Sequence, residues 1–285
     1  MPDKSISLFN LEALSVPVAK LIETVSSGIG VLYEPRRIRE RAKAEVDAAK
    51  IKMKGAIEIQ MLATRASYRA NAQEARRQRN LEAIIKKASQ QLPSEVSNEK
   101  VEEDWTAQFL NYAQDIGNEE MQTIWARLLA GEVTHPGSFS LRALNVVRLL
   151  QPKDAKTFRR FTDFLWIIDN EFIQVQIPLT TDQLLERNGL SYSAVLHLLT
   201  LGLISMHSNL LIKSETGTMT ANYHGDEFIL SGDRVKRGFE VRILTDVGKE
   251  LVRLCDRIPV IEYRDAILDF WQRNEIEIKK REVEK

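Results

Sequence analysis

From Arg36 to Leu92 the chain contains no proline, and Gly55 is the sole glycine in that stretch. It is built mostly from Ala, Arg, Lys, Glu, Gln, Met and Leu, the residues that lose least on entering a helix. Pro35 stands just ahead of it, where a first helical turn accepts proline. As one continuous helix it would be roughly 85 Å long at about 1.5 Å per residue. Its apolar residues, Ile38, Val46, Ile51, Met53, Ile57, Ile59, Met61, Leu62, Tyr68, Leu81, Ile84 and Ile85, are too few and too irregular for a sustained heptad. The expectation is a stalk-like long helix, or a helical hairpin, over residues 35–92. It would self-associate weakly, like a coiled coil, and draw stability from neighbouring subunits, because a solitary helix is marginal in water.

The same stretch divides the chain electrically. The chain as a whole carries 40 Lys and Arg against 40 Asp and Glu. Residues 35–92 carry a net charge of +9, whereas residues 1–34 carry −2 and residues 93–285 carry −7. A basic section joined to an acidic one favours head-to-tail association or an anionic partner. Arg36, Arg37, Arg39 and Arg41 crowd one end and Arg76, Arg77 and Arg79 the other, and these form a candidate interaction surface. Aromatic residues for base stacking are nearly absent there apart from Tyr68, so a protein partner is favoured over nucleic acid.

Four regions are expected: an amphipathic segment over 1–34, the long basic helix over 35–92, a compact helical domain over 93–175, and a winged-helix-like α+β domain over 176–285. The fold class is mainly α. In the first region Leu8, Leu11, Leu14, Val18, Leu21, Val25, Ile29 and Leu32 mark one helical stripe, interrupted by Pro17. That stripe suits packing on the chain's own core, a partner helix, or a membrane surface through residues 8–32. In the third region Trp105, Phe109 and Tyr112 recur at one and two turns. Met121, Ile124, Trp125, Leu128 and Leu129 have core spacing, with Gly131 placed as a C-terminal cap. Ser138 or Ser140 caps the next helix, and Pro152 opens another.

Beyond residue 176 the rhythm changes. Thr180 or Thr181 caps a short helix ending near Arg187, Asn188-Gly189-Leu190 turns, and Ser191 caps a second helix closed by Gly202. Strands are expected over Leu203–Lys213, Glu227–Leu230 and Phe239–Leu244, with a turn at Gly232-Asp233. Thr245 caps a helix over Asp246–Arg257, and a last helix runs from Val260 to about Lys280. Helix, turn, helix, hairpin, helix is the order of a winged helix-turn-helix. Its second helix, Ser191 to Leu201, has no Lys or Arg to read bases or neutralise phosphates. Arg234, Lys236 and Arg237 are the candidate phosphate contacts of this region, and a protein-docking role is favoured over DNA reading.

No residue pattern points to catalysis, so the chain reads as a non-enzyme with no cofactor and no metal. His135, His197, His207 and His224 include no i, i+4 pair, and the lone Cys255 cannot complete a zinc site. Cys255 stands beside Leu251 and Leu254 as a small apolar filler. Gly28-Ile29-Gly30 lacks the strand and the third glycine of a dinucleotide loop. The absence of a signal-peptide pattern and of an uninterrupted apolar span leads to an expected cytoplasmic location, or one peripheral to the inner membrane.

The run Asp104-Trp105, then Met121 through Glu132, then Pro136-Gly137-Ser138-Phe139-Ser140-Leu141-Arg142 resembles an uncharacterised bacterial family, the domain of unknown function 2806. More distantly, the chain resembles the abortive-infection alpha proteins. The second resemblance implies a role in resistance to bacteriophage and implies no chemistry. Arg127, Glu132 and Arg142 are the polar members of the run, as a buried network or a contact surface. The functional expectation is therefore an oligomeric interaction protein, a homo-oligomer with a further protein partner, acting in bacterial defence. The alternatives are a nucleic-acid-binding regulator using the winged helix or the basic helix, and a membrane-associated effector.

Overall fold

The structure, a computed structural model, describes residues 15–29, 57–177, 179–205 and 210–281. The chain divides into two compact units, one up to Leu144 and one from Asn145.

The first unit is a helical bundle. Helix α1 spans Val16–Ile29, α2 Ile57–Ser89, α3 Glu103–Ala113 and α4 Glu119–Thr134. The stripe of α1 turns Leu21 and Val25 into the core, where α1 packs on α3 and α4. Pro17 sits in the first turn, and the helix runs on past it to Ile29. Leu8, Leu11, Leu14 and Leu32 of that stripe lie outside the described residues. Gly28 makes the α1–α3 approach possible, since a Cβ there would stand 2.6 Å from Thr106 Cγ2. The centre of the bundle is aromatic: Trp105 stacks on Phe109 at 5.2 Å between ring centroids, and Phe109 meets Trp125 at 5.3 Å. Asn118 opens α4 by accepting the Met121 amide.

Helix α5, Leu141–Leu149, carries the division between the units. Ser140 caps it through the Ala143 amide. In the second unit α6, Pro152–Thr162, begins with a proline and a capping box between Gln151 and Asp154. Then follow β1 Trp166–Ile168, β2 Glu171–Val175, α7 Thr180–Arg187, α8 Tyr192–Thr200, β3 Leu210–Ile212, β4 Thr218–Tyr223, β5 Asp226–Ser231, α9 Asp233–Arg237, β6 Phe239–Ile243, α10 Asp246–Leu251, α11 Ile261–Arg273 and β7 Glu277–Lys280. The seven strands form one sheet in the order β3-β6-β2-β1-β4-β5-β7, and every neighbouring pair is antiparallel. One face of the sheet is buried through Trp166, Ile173, Ala221, Tyr223, Phe228 and Val241. Helix α11 closes this core with Tyr263, Ile267 and Trp271, the last lying 4.9 Å from Trp166 between centroids.

The expectation of a mainly α chain is corrected: the protein is mixed α+β, with helices beside a seven-stranded antiparallel sheet. Part of the sheet comes from stretches assigned to helix. Residues Trp166–Val175, placed in the helical middle, form β1 and β2. The last helix stops at Arg273, and Glu277–Lys280 adds β7 to the sheet edge. The break lies at Asn274 and Glu275, the latter at φ +61°. Gly131 is not a C-cap: α4 continues to Thr134, and Gly131 leaves room for Phe139, whose Cε2 would lie 2.7 Å from a Cβ. Leu179 at φ +62° precedes α7 in place of a Thr cap, while Thr181 Oγ1 accepts the Ile177 amide. Gly232-Asp233 leads into the helical turn α9. The Thr245-capped helix leaves α geometry after Leu251 and continues as a 3-10 turn to Leu254. The strand expected from Leu203 is a bridge at Ile204 and then β3 from Leu210. The caps at Ser191 and Thr245 are as expected.

Candidate interaction surfaces

Helix α2 is two things in succession. From Arg77 onward it belongs to the bundle, with Leu81, Ile84, Ile85 and Ala88 buried and α4 and α3 as its neighbours. Its end is held by Lys87 Nζ, which donates to Glu119 O at 3.0 Å and Thr123 Oγ1 at 3.1 Å. Asn80 Nδ2 donates to Gln114 O at 2.9 Å. From Met61 to Arg76, by contrast, every side chain is exposed apart from Ser67 and Asn71, which are half-buried. Met61, Leu62 and Tyr68 are 59%, 61% and 61% exposed. The helix persists there because Ala, Arg and Gln favour it and because the packed end has already supplied the nucleus. The free part, Met61 to Arg76, is roughly 24 Å long at about 1.5 Å per residue.

The basic residues singled out from sequence separate into three groups. Arg36, Arg37, Arg39 and Arg41 lie outside the described residues. Arg76 and Arg77 are both turned to Asp115: Arg76 Nη2 reaches Oδ1 at 3.0 Å, and Arg77 binds both oxygens, at 3.0 and 3.2 Å. The Asp115 carboxylate raises the Arg77 pKa. This pair of contacts clips the start of the packed half of α2 to the end of α3. Arg79 is exposed.

Glu132 is buried, and both of its carboxylate oxygens accept backbone amides. Oε1 accepts the Gly137 amide at 2.6 Å and Oε2 the Phe139 amide at 2.9 Å, so one carboxylate closes the loop from α4 to α5. Gly137 takes φ +83°, which glycine adopts without strain. Arg127 is half-buried and Arg142 is exposed. His135, in the same loop, is exposed and gives its carbonyl to Ser138 Oγ at 2.6 Å.

In the second unit Arg234, Lys236 and Arg237 lie on α9, between β5 and β6. Lys236 pairs with Asp233 at 3.4 Å, and Lys236 and Arg237 are exposed. Helix α8 presents Tyr192 and Leu196, 73% and 47% exposed, one turn apart and without a cation between them. His197 Nε2 meets the buried Asp154 carboxylate at 3.1 Å, a contact by which α8 is held to α6. Sequence reasoning missed the polar cluster that secures the strap 255–260. Asp163 Oδ1 accepts the Ile258 amide at 2.7 Å, and Arg257 donates to Thr162 O at 3.0 Å and to Leu165 O. Tyr223 Oη donates to Asp163 O at 2.8 Å, and His224 Nε2 meets the same carbonyl at 3.1 Å. Burial pushes the Tyr223 hydroxyl up to about 12, lowers His224 and lowers Arg257. Each of these groups is committed to a backbone partner, so the cluster is a fastening. Cys255, part-buried, directs Sγ toward Leu251 O at 3.7 Å. Among the described residues no group of His, Cys, Asp and Glu could hold a metal ion.

The model of one protein family, described as protein of unknown function (DUF2806), matches residues 64–268. That span runs from the exposed part of α2 to α11 and contains the Gly131-Glu132 loop closure. No curated protein and no solved structure matches the chain.

Proposed function

The chain belongs to the DUF2806 family of proteins of unknown function, and from that premise we propose that it works as an assembly protein, with α2 as the arm through which copies associate. The observation that carries this reading is the contrast within α2: a packed half and a free half on one helix. Met61 and Tyr68, two turns apart, put a thioether and a phenol ring on one line of the free half, with Leu62 about 100° round the helix from Met61. Apolar side chains at this spacing form the seam of helix pairs, and removing each from water contributes about 1.5–3 kcal/mol. The free half of α2 would be the first part of the chain to fray if nothing covered it.

The second unit supports the same reading. We take it as a winged helix-turn-helix in which α6, β2, α7, α8, β3 and β6 follow the usual order. The strand order β3-β6-β2 supports this, with β4, β5 and α9 inserted between the wing strands. Where such a domain would carry base-reading cations, α8 carries Tyr192 and Leu196, side chains suited to a protein surface. The setting in bacteriophage defence rests on the resemblance to the abortive-infection alpha proteins, and plaque counts on cells with and without the gene test it.

The association is tested by light scattering on the full chain and on a Met61→Gln, Tyr68→Gln variant. Gln keeps helix propensity and adds no charge. The full chain is expected above the mass of one protomer and the variant at it. A single-protomer mass for the full chain at tens of micromolar contradicts the proposal.

A further inference from the structure

The exposed face of α2 also carries a line of cations. At about 100° per residue, Arg65, Arg69, Arg76, Arg79 and Lys86 fall within an arc of about 100° of the helix circumference. That arc lies on the side away from Leu81, Ile84, Ile85 and Ala88, which face the bundle core. All five are exposed. Among the described residues no ion pair reaches Arg65, Arg69, Arg79 or Lys86; Arg65 Nε donates only to Met61 O at 3.4 Å, and Arg76 shares Asp115 with Arg77. Glu74 and Glu82 point elsewhere around the helix. Arg65, Arg69 and Arg76 are turned by about 50 to 90° from the Met61–Tyr68 line, and Arg79 and Lys86 lie beyond it along the axis. Self-association through the Met61–Tyr68 line therefore leaves Arg65, Arg69 and Arg76 to one side of the seam and Arg79 and Lys86 past its end.

We propose that this face of α2 binds the phosphate backbone of duplex DNA, with the free half of the helix, Met61 to Arg76, lying in the major groove and Arg79 and Lys86, on the packed half, meeting the flanking backbone. Four of the five cations are Arg, whose planar fork matches a phosphate. From Arg65 to Lys86 the line extends about 31 Å, close to one turn of duplex at about 34–36 Å. A duplex offers one negative charge per about 1.7 Å of axis, so each cation has a phosphate within reach. A helix about 10–12 Å across fits a groove about 12 Å wide. The free half of α2 is the part slim enough to enter one, because no other described element of its unit flanks it. The RNA major groove is too narrow to admit a helix. The apolar side chains on the arm, Met61, Leu62 and Tyr68, are too few to anchor a helix in lipid. With Tyr68 the only aromatic on the helix, the contact is electrostatic and indifferent to base sequence.

The test is fluorescence anisotropy with the full chain and a labelled, mixed-sequence DNA duplex of about thirty base pairs, across a salt series. Four unpaired cations give a slope of log affinity against log salt near −3.6 per chain, or about a 150-fold loss between 50 and 200 mM salt. Replacing Arg65, Arg69 and Arg79 together by Gln should bring the slope near −0.9 and weaken binding at 50 mM salt more than tenfold. The corresponding Lys variant should stay within a few-fold of the natural chain. The Gln variant should keep the natural helix content and scattering mass, which separates loss of DNA contact from loss of folding or association. Replacing Arg234, Lys236 and Arg237 by Gln should change nothing. No binding at 50 mM salt, undiminished binding by the Gln variant, equal affinity for an RNA duplex, or binding to polyglutamate or phosphatidylserine vesicles in place of DNA would each overturn the proposal.

Discussion

Replacing Glu132 tests how the loop between α4 and α5 is closed. Its carboxylate holds two amides, Gly137 at 2.6 Å and Phe139 at 2.9 Å, and the second bond is buried. A hydrogen bond to a charged partner contributes about 1.5–3 kcal/mol, and an amide left buried without an acceptor costs about 1–3 kcal/mol. Glu132→Ala removes both acceptors together with the stem of a buried side chain, so the expected loss is about 3–5 kcal/mol. Glu132→Gln keeps one acceptor and turns an amide NH2 toward the other N–H, for a loss of about 2–3 kcal/mol. Phe139 depends on this closure, because it sits over Gly131 in the space that a Cβ would fill. The assay is urea unfolding followed by tryptophan fluorescence, since Trp105 and Trp125 lie in the same bundle. The ordering Ala below Gln below natural stability is expected. An Ala variant within 1 kcal/mol of the natural chain would show that the loop closes without the carboxylate and would refute the reasoning.

The other perturbations are simpler. Trp125 is fully buried against Phe109, so Trp125→Ala should lose about 3–5 kcal/mol in the same unfolding assay; a loss under 1 kcal/mol would contradict its place at the core. Tyr223→Phe should cost about 1–3 kcal/mol, because the hydroxyl serves Asp163 O and accepts the Val260 amide at 2.9 Å. His224 has a pKa lowered mainly by burial, so the folded state favours the neutral ring. Its contribution is fully present above the unfolded pKa of about 6.5 and is lost as pH falls from there toward the folded value. His224→Asn, which tolerates φ +50°, should therefore reduce the drop in melting temperature between pH 7.5 and pH 5.5; an unchanged drop would assign the acid sensitivity to another group.

What the sequence revealed and what it hid follow from how local each signal is. Ser140, Ser191 and Thr245 act on amides three residues away, so their caps are legible in a short window. The continuous run Phe164-Leu165-Trp166-Ile167-Ile168 has no period, and a short apolar run fits a buried helix end or a buried strand equally. Only its pairing with β2 and β4 makes it β1. Strand β4 did carry a signal, since Met219, Ala221 and Tyr223 alternate with polar residues and all three are buried. At the end of the chain, Ile276 and Ile278 among charged residues read as the continuation of α11, because a charged edge strand has almost no apolar pattern of its own. The candidate surface shows the same limit. The basic character of Arg76, Arg77 and Arg79 is plain in the sequence, but Asp115, which binds the first two, stands 38 residues beyond Arg77. The distinction between a packed and a free half of α2 is a tertiary fact, and propensity is alike on both sides of it.

The central claim is that the free half of α2 is covered by association. Hydrogen–deuterium exchange at two protein concentrations, one below and one above the association midpoint, tests it most directly. Amides from Met61 to Arg76 should exchange quickly in the dilute sample and gain at least tenfold protection in the concentrated one. Those from Leu81 to Ala88, already packed in the bundle, should be protected alike in both. Exchange over Met61–Arg76 that is the same at both concentrations would contradict the account.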